Sequence, residues 1–434
     1  MADALFTDDF KDTPYWWDEA PLVLLPETAL PATADVVIIG SGNVGLSSAL
    51  TLARGGRDVV VLESEEAGYG ASTRNAGYVG RSLWSKYSAL EAKYGARKAV
   101  DFCNETVASH HHVVKLIEHE QITCYFKYCG RFIAAQTQAQ YDALEHDLEA
   151  MKRQGVEMDG TMVSPSQVRD EIATDYYLGG MVLEGTGSLH PGLLHKGLME
   201  RALSAGATII DRTPVSGVEK DGQRFTVTTT RGRISARDVI VATNGYTGPP
   251  TPYFRRRLVT VPAYIIATEH LGREKLKELF PTGRTVIDSK INIYFTRPSP
   301  DGERLLFGSR TGMLQDDPRI KARELYGDML NVFPQLEGTR ISHSWNGNMG
   351  FTFDKMPHTG QHEGVEYATG LCGTGIPMGT YLGHKTALRV LGDPEGATAF
   401  DGQPFPTVPF YNGNAWFLPL SMAWYNLKDR LTGS

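Results

Sequence analysis

Gly40, Gly42 and Gly45 are spaced as G-x-G-x-x-G, between the β-branched run Ala34 to Ile39 and the helix-forming stretch Leu46 to Arg54. That spacing suits a phosphate anion. Gly40 permits a tight turn, Gly42 lets the backbone approach a pyrophosphate, Gly45 lets helix and strand pack closely, and the helix N-terminus presents unpaired N–H groups. A second β-branched run, Asp58 to Leu62, ends on Glu63, about twenty residues on, where a carboxylate accepts hydrogen bonds from ribose hydroxyls. The unit is expected to bind a dinucleotide, and the motif alone does not separate NAD from FAD.

Three later stretches have related composition. Gly68 to Gly77 holds Ala71, Ser72, Thr73, Arg74, Asn75 and Gly77, too long for a hairpin turn and dense in hydrogen-bonding groups. Ala242 to Gly248, with Thr243 and Gly245, follows the buried-type strand Asp238 to Val241, at a strand end where open α/β sheets place ligands. Gly370, Gly373, Thr374 and Gly375 precede a helix expected from Ile376 to Leu391. His110, His111 and His112 point about 100° apart on a helix and cannot share one ion. Cys103, Cys124, Cys129 and Cys372 have no C-x-x-C spacing, so free thiols and no metal are expected.

The elements that must position these groups alternate. Helical composition runs from Lys86 to Gln121, from Ala139 to Gln154, from Leu193 to Ala205 and from Pro318 to Val332. Short strands are expected at Ile122 to Ala135, Ala207 to Ile210, Phe225 to Thr230, and Arg233 to Ser235. From Pro249 to Trp345 strands dominate: Leu258 to Thr268, Thr285 to Asp288, Ile291 to Arg297, Arg304 to Ser309 and Arg340 to Trp345. Val365 to Thr369 follows. At 434 residues and net charge −7, the chain is long enough for two domains. It lacks the basic blocks of a nucleic-acid binder, a signal-peptide pattern, and any run of about 20 apolar residues. A cytoplasmic protein with no integral membrane span is expected, of unknown oligomeric state. The tail from Trp416 to Leu431 has an amphipathic composition suited to packing on the body or on another subunit.

Taken in order, the opening motif with Glu63, the Gly70 to Asn75 loop, the Ala242 to Gly245 strand end and the Gly373 to Gly375 turn resemble the FAD-dependent D-amino-acid oxidase superfamily. The Asn75 loop and Tyr15-Trp16-Trp17 resemble most the gamma-glutamylputrescine oxidase branch. The resemblance implies an α/β fold. A discontinuous Rossmann-like FAD-binding domain (34–85, 155–250 and 350–400) would join a second, mainly antiparallel β-sheet substrate domain of α+β type (86–154 and 251–349). An N-terminal arm (1–33) and a C-terminal tail (401–434) would complete the chain. It places pyrophosphate on Gly40 to Gly45 with Ser72 and Thr73, adenine at Val215, and the flavin ring near Arg74 to Gly77 and Gly373 to Ile376.

The activity so implied is oxidation of a C–N bond in an amine or amino-acid-like small molecule by hydride transfer to flavin N5. Oxygen or another carrier would accept the electrons. A non-catalytic or sensing flavoprotein, or an NAD(P)-dependent dehydrogenase, are the alternatives. Tyr264, Tyr294, Trp345 and Met349 are pocket candidates, and Arg81 and Arg310 are candidate anchors for a substrate anion. Departures from the resembled pattern are specific. Met349 stands where glycine oxidases carry a carboxylate-binding arginine, and Pro377 where sarcosine oxidases carry a lysine. Leu306 stands where sarcosine oxidases carry the lysine near N5. No cysteine lies near Met349, so FAD is expected to be non-covalent.

Overall fold

The computed structural model describes residues 4–290, 292–309 and 317–417. Two large sheets organise it. In the first, the parallel core runs Thr208–Ile210, Val59–Leu62, Thr33–Ile39 and Gly232–Val241, and the hairpin strands Arg224–Thr229 and Val215–Asp221 extend it. Val365–Thr369 also pairs in parallel with the end of Gly232–Val241. The parallel strands are apolar on both faces, as a sheet covered by helices requires. Val36 to Ile38 and Val59 to Val61 are all buried.

The helix Asn43–Arg54 leaves the strand end at Ile39 and packs against the last long helix, Pro377–Leu391. Small residues bring these helices close. A side chain at Gly383 would be driven into the Val44 carbonyl, Ser47 Oγ donates to the Thr380 carbonyl at 2.6 Å, and Ser48 Oγ donates to the Gly383 carbonyl at 2.8 Å.

The second sheet has nine strands. Their order is Phe6–Lys11, Ile341–Thr352, Leu258–Thr268, Leu305–Ser309, Tyr294–Pro298, Thr285–Asp288, Arg131–Ala135, Gly179–Leu183 and Gly160–Val163. Only the first pair and the pair Thr285–Asp288 with Arg131–Ala135 are parallel. One face packs on the helix Pro318–Val332, where Tyr264, Ile266 and Phe307 meet Ala322, Leu325 and Met329. The opposite face looks toward the first sheet's loops.

Several elements differ from the sequence reading. The long helix breaks at Gly95, whose φ of 81° suits glycine, into Tyr87–Tyr94 and Ala96–His119. The strands expected at Arg233 to Ser235 and Asp238 to Val241 are one, Gly232–Val241, because its partners change from a hairpin strand to a parallel strand without interruption. Ile341–Thr352 runs seven residues past Trp345, paired throughout with Leu258–Thr268. Gly160–Val163 and Gly179–Leu183 join the nine-stranded sheet although 155–250 was assigned to the cofactor side. Ala96–His119, assigned to the substrate side, packs on Pro377–Leu391. The N-terminal arm carries regular structure of its own. It contributes Phe6–Lys11 to the sheet edge and a 3-10 turn, Tyr15–Trp17, with Trp16 fully buried.

Candidate active site

A cavity of about 500 Å³ runs between the strand ends of the first sheet and the inner face of the second. Its floor begins at the G-x-G-x-x-G turn. Gly40 has φ 103°, and Gly42 caps the helix Asn43–Arg54 without a side chain of its own. Glu63 Oε2 accepts from the Ser41 N–H at 2.9 Å and from Ser41 Oγ–H at 2.8 Å, which fixes the carboxylate beside the turn. Ser72 Oγ accepts from the Asn43 N–H at 3.0 Å, and Asn43 Nδ2 donates to the Gly375 carbonyl at 3.3 Å. Three segments far apart in the chain thus meet at the start of one helix. His195 lies beneath, its Nε2 2.8 Å from the Ser41 carbonyl oxygen, and burial holds its pKa below the usual value.

The loop from Ala71 to Gly77 is held from both sides. Asn75 Nδ2 donates to the Ala71 and Ser72 carbonyls, and its Oδ1 accepts from the Gly77 N–H at 2.8 Å. Three indoles complete the clamp. Trp16 Nε1–H donates to the Asn75 carbonyl at 2.8 Å, Trp345 Nε1–H to the Arg74 carbonyl at 2.8 Å, and Trp17 Nε1–H to Thr73 Oγ1 at 3.0 Å. Arg297, also buried, donates to the carbonyls of Ala76, Gly77, Leu189 and Pro298. Arg74 lies over the rings of Tyr69 and Trp17, at 4.4 and 4.6 Å. Burial lowers its pKa, and no carboxylate among the described residues pairs with it.

Most residues chosen from sequence for a cofactor line this cavity: Gly40, Gly42, Glu63, Ala71, Ser72, Arg74, Asn75, Val215, Thr243, Gly373, Thr374, Gly375 and Ile376. The others sit one layer back and shape the wall. A side chain at Gly45 would strike the Gly40 carbonyl, and one at Gly77 the Leu189 carbonyl. Thr73 Oγ1–H donates to the Gly68 carbonyl at 2.5 Å. Gly245 lies against the backbone of Asn348 to Gly350, and the Gly370 N–H donates to Asn244 Oδ1 at 2.9 Å.

The pocket candidates divide differently. Met349 lines the cavity. Tyr264 and Tyr294 do not, because alternate residues of a strand face opposite sides. Ala263, Ile265, Ile293 and Phe295 line the cavity, while Tyr264 is buried against Pro318–Val332 and Tyr294 donates to Asp328 Oδ1 at 2.8 Å. Trp345 is wholly buried and acts through Arg74 rather than at the cavity surface. Arg81 is ion-paired with Glu157 and Asp159, at 3.1 and 2.5 Å. Arg310 lies outside the described residues, as do the last residues of the tail. Leu306 packs in a core cluster with Trp16 and Trp345. His110, His111 and His112 go separate ways, toward Tyr128, Glu157 and His384.

A second cavity of about 710 Å³ shares Ser82, Leu83, Trp84, Arg131, Ile287 and Ile293 with the first. The sequence reading missed its polar wall of Arg131, Asp288 and Lys290. Burial pushes the Asp288 carboxyl up while Lys290, 3.3 Å away, opposes that shift. None of these residues belongs to a local motif, and only sheet pairing brings Arg131 beside Asp288's strand.

The residues present fit FAD. The first cavity has a glycine cradle, a helix start whose cap residue Gly42 has no side chain, the fixed carboxylate Glu63 at one end and the turn Gly373 to Ile376 at the other. Asn43 Oδ1 is buried without a partner among the described residues, open to a ligand donor. Pro377–Leu391 begins at Ile376 with no side-chain cap, so its partial positive charge faces the same space.

The family pattern described as DAO, FAD dependent oxidoreductase, matches residues 35–389. Gamma-glutamylputrescine oxidoreductase of Escherichia coli (strain K12) is 31% identical over 404 residues, covering 92% of this chain and 93% of that protein. A probable oxidoreductase OrdL of Rhizobium meliloti (strain 1021) is 30% identical over 426 residues, 96% of this chain and 97% of its own. The crystal structure of glycine oxidase from Geobacillus kaustophilus superposes with a TM-score of 0.72 at 22% identity, covering 87% of this chain and 99% of that one. The matched span takes in every glycine turn around the cavity and all strands of both sheets except Phe6–Lys11 and the first two residues of Thr33–Ile39, and the chain belongs to the DAO family of FAD-dependent oxidoreductases.

Proposed function

We propose that this oxidoreductase uses non-covalent FAD to oxidise a C–N bond of an amine or amino-acid-like substrate, with oxygen or another carrier as electron acceptor. When bound, the flavin would accept hydride at N5 from the carbon bearing the amine, and the resulting imine would hydrolyse to a carbonyl compound and a free amine. The observation that carries the reading is the second cavity. It shares Trp84, Arg131, Ile287 and Ile293 with the first, so a small molecule there would lie beside the space lined by Asn75 and Gly373 to Ile376.

The chain's own residues supply orientation and exclusion of water. Phe295, Ile265 and Ile293 make the inner sheet face apolar. Tyr78 donates its hydroxyl to the Val286 and Thr296 carbonyls, and burial raises its pKa, so it stays neutral and fixed. The uncapped start of Pro377–Leu391 favours negative charge gathering at that end of the cofactor space. Activity is tested by anaerobic mixing of the holoenzyme with a broad panel of amines and amino acids, including gamma-glutamylated diamines, while flavin absorbance is followed. Bleaching by a subset is expected; a panel that leaves the flavin oxidised would sink the enzymatic reading. Acid precipitation is expected to release the flavin into the supernatant, and a yellow pellet would contradict non-covalent binding.

A further inference from the structure

We propose that Arg131 is the substrate's anion anchor: its guanidinium, in the wall shared by the two cavities, takes a carboxylate carried by the amine substrate. This rests on the proposed amine oxidation and adds the substrate's second functional group.

Arg131 begins the strand Arg131–Ala135 and is paired on both sides, with Leu183 and with Thr285, so its backbone is fixed. The residue is only 7% exposed. Arginine does not lose its proton in proteins, and a buried charge is ordinarily paired. The Arg131 side chain has no hydrogen bond or ion pair to a described residue, and its Nε is buried without an acceptor. Its one neighbour of note is the Tyr78 ring, 5.1 Å below the guanidinium. The Tyr78 hydroxyl is committed to two backbone carbonyls.

The other buried cations nearby show what satisfaction looks like in this fold. Arg81 has Glu157 and Asp159, Arg297 has four carbonyl oxygens, and Lys290 has Asp288 and the Tyr176 hydroxyl. Arg131 alone in this group faces the cavities unpaired. Space is kept for it as well: a side chain at Gly80 would come within 2.7 Å of Arg131 Nη1. A planar fork of donors at the junction matches a carboxylate, which can accept two parallel N–H bonds. The anchor expected at Arg81 therefore moves to a residue that no motif marks.

The test compares wild type, Arg131→Met and Arg131→Lys holoenzymes. Substrates are amino acids of increasing chain length, each matched with its amide and its decarboxylated amine. Anaerobic flavin reduction gives kcat/KM, and titration of acetate and benzoate against the flavin spectrum gives carboxylate binding without turnover. Wild type is expected to favour acids, and Arg131→Met to lose on the order of 10²–10³-fold in kcat/KM for acids, mainly through KM. The neutral amines should change by less than about 2-fold, with partial recovery in Arg131→Lys. Equal rates for acids and neutral amines in wild type, equal losses for both in the variant, or a lowered FAD affinity in Arg131→Met would overturn the anchor. If no amine reduces the flavin, the oxidase reading fails on its own. Carboxylate titration then decides this one: a spectral response lost in Arg131→Met sustains it, and an absent or unaltered response removes it. Should Arg131→Met not fold, Arg131→Lys with unweakened carboxylate binding overturns the proposal, and weakened binding supports it.

Discussion

Gly245→Ala isolates the contact that joins the two sheets at the cofactor cavity. Gly245 sits in the turn Asn244–Tyr246 without positive φ, so alanine can adopt its backbone and the effect is steric. Its Cβ would lie 2.6 Å from the Asn348 carbonyl oxygen and 2.9 Å from Gly350 N, both backbone atoms of Ile341–Thr352. Ordinary contact starts at 3.4 Å, a deficit of 0.8 Å (3.4 − 2.6) that only movement of turn against strand relieves. Such overpacking costs about 1–3 kcal/mol. Spread over an unfolding entropy of roughly 0.9 kcal/mol/K for this length, that lowers Tm by only about 1–3 °C. Felt in the FAD-bound geometry, where Thr243 and Met349 flank the contact, it weakens FAD binding by about 5- to 150-fold. The assay is FAD titration of apoprotein, with Gly217→Ala as control, since a Cβ there meets nothing within 4 Å and Gly217 does not line the cavity. Equal FAD affinity and Tm in both variants would refute the reasoning.

Other perturbations follow from the same geometry. Trp345→Phe leaves the Arg74 carbonyl without its indole donor, and a loss of about 1–3 kcal/mol from the loop's anchoring is expected; calorimetry and FAD titration check it, and a variant indistinguishable from wild type would deny the clamp. His110, His190 and His343 are held down to about 4 by burial. Because the unfolded chain binds those protons near pH 6.5 and the folded chain does not, stability is present above that value and falls as pH drops toward 4. Denaturant midpoints from pH 7 to 4.5 should show the fall, and His190→Asn, which keeps an acceptor for the Leu193 N–H, should flatten it; an unchanged slope would exclude His190. Burial pushes the Cys124 thiol up to about 11 and Cys372 up to about 12. Neither should alkylate in the native protein at pH 8, and mass-spectrometric labelling of Cys372 without denaturant would contradict its placement.

That the glycine turns would line one cavity was legible because their pattern is local. Gly40, Gly42 and Glu63 fall within one strand–turn–helix–strand unit, and the later glycine turns each follow a strand end. The substrate side depends on strand parity and sheet order. Tyr264 and Tyr294 were each one position from residues that do line the cavity, Ile265 and Phe295. Arg81 and Arg131 look alike in sequence, and only tertiary pairing gives one of them Glu157 and Asp159 and leaves the other bare. Likewise, nothing within Gly160–Val163 announces that it completes a sheet begun by Phe6–Lys11.

The close crossing of Asn43–Arg54 with Pro377–Leu391 bears on how the protein is made. Val44, Ser47 and Ser48 leave the ribosome early, but Thr380 and Gly383, which cover them, are more than 330 positions later. At about 5–20 residues per second, the helix Asn43–Arg54 waits on the order of 20–60 s for its partner. Through that interval the nascent chain exposes the helix face that Thr380 and Gly383 later cover. The cavity that this helix floors is therefore completed only once Pro377–Leu391 has been made, late relative to its first strand.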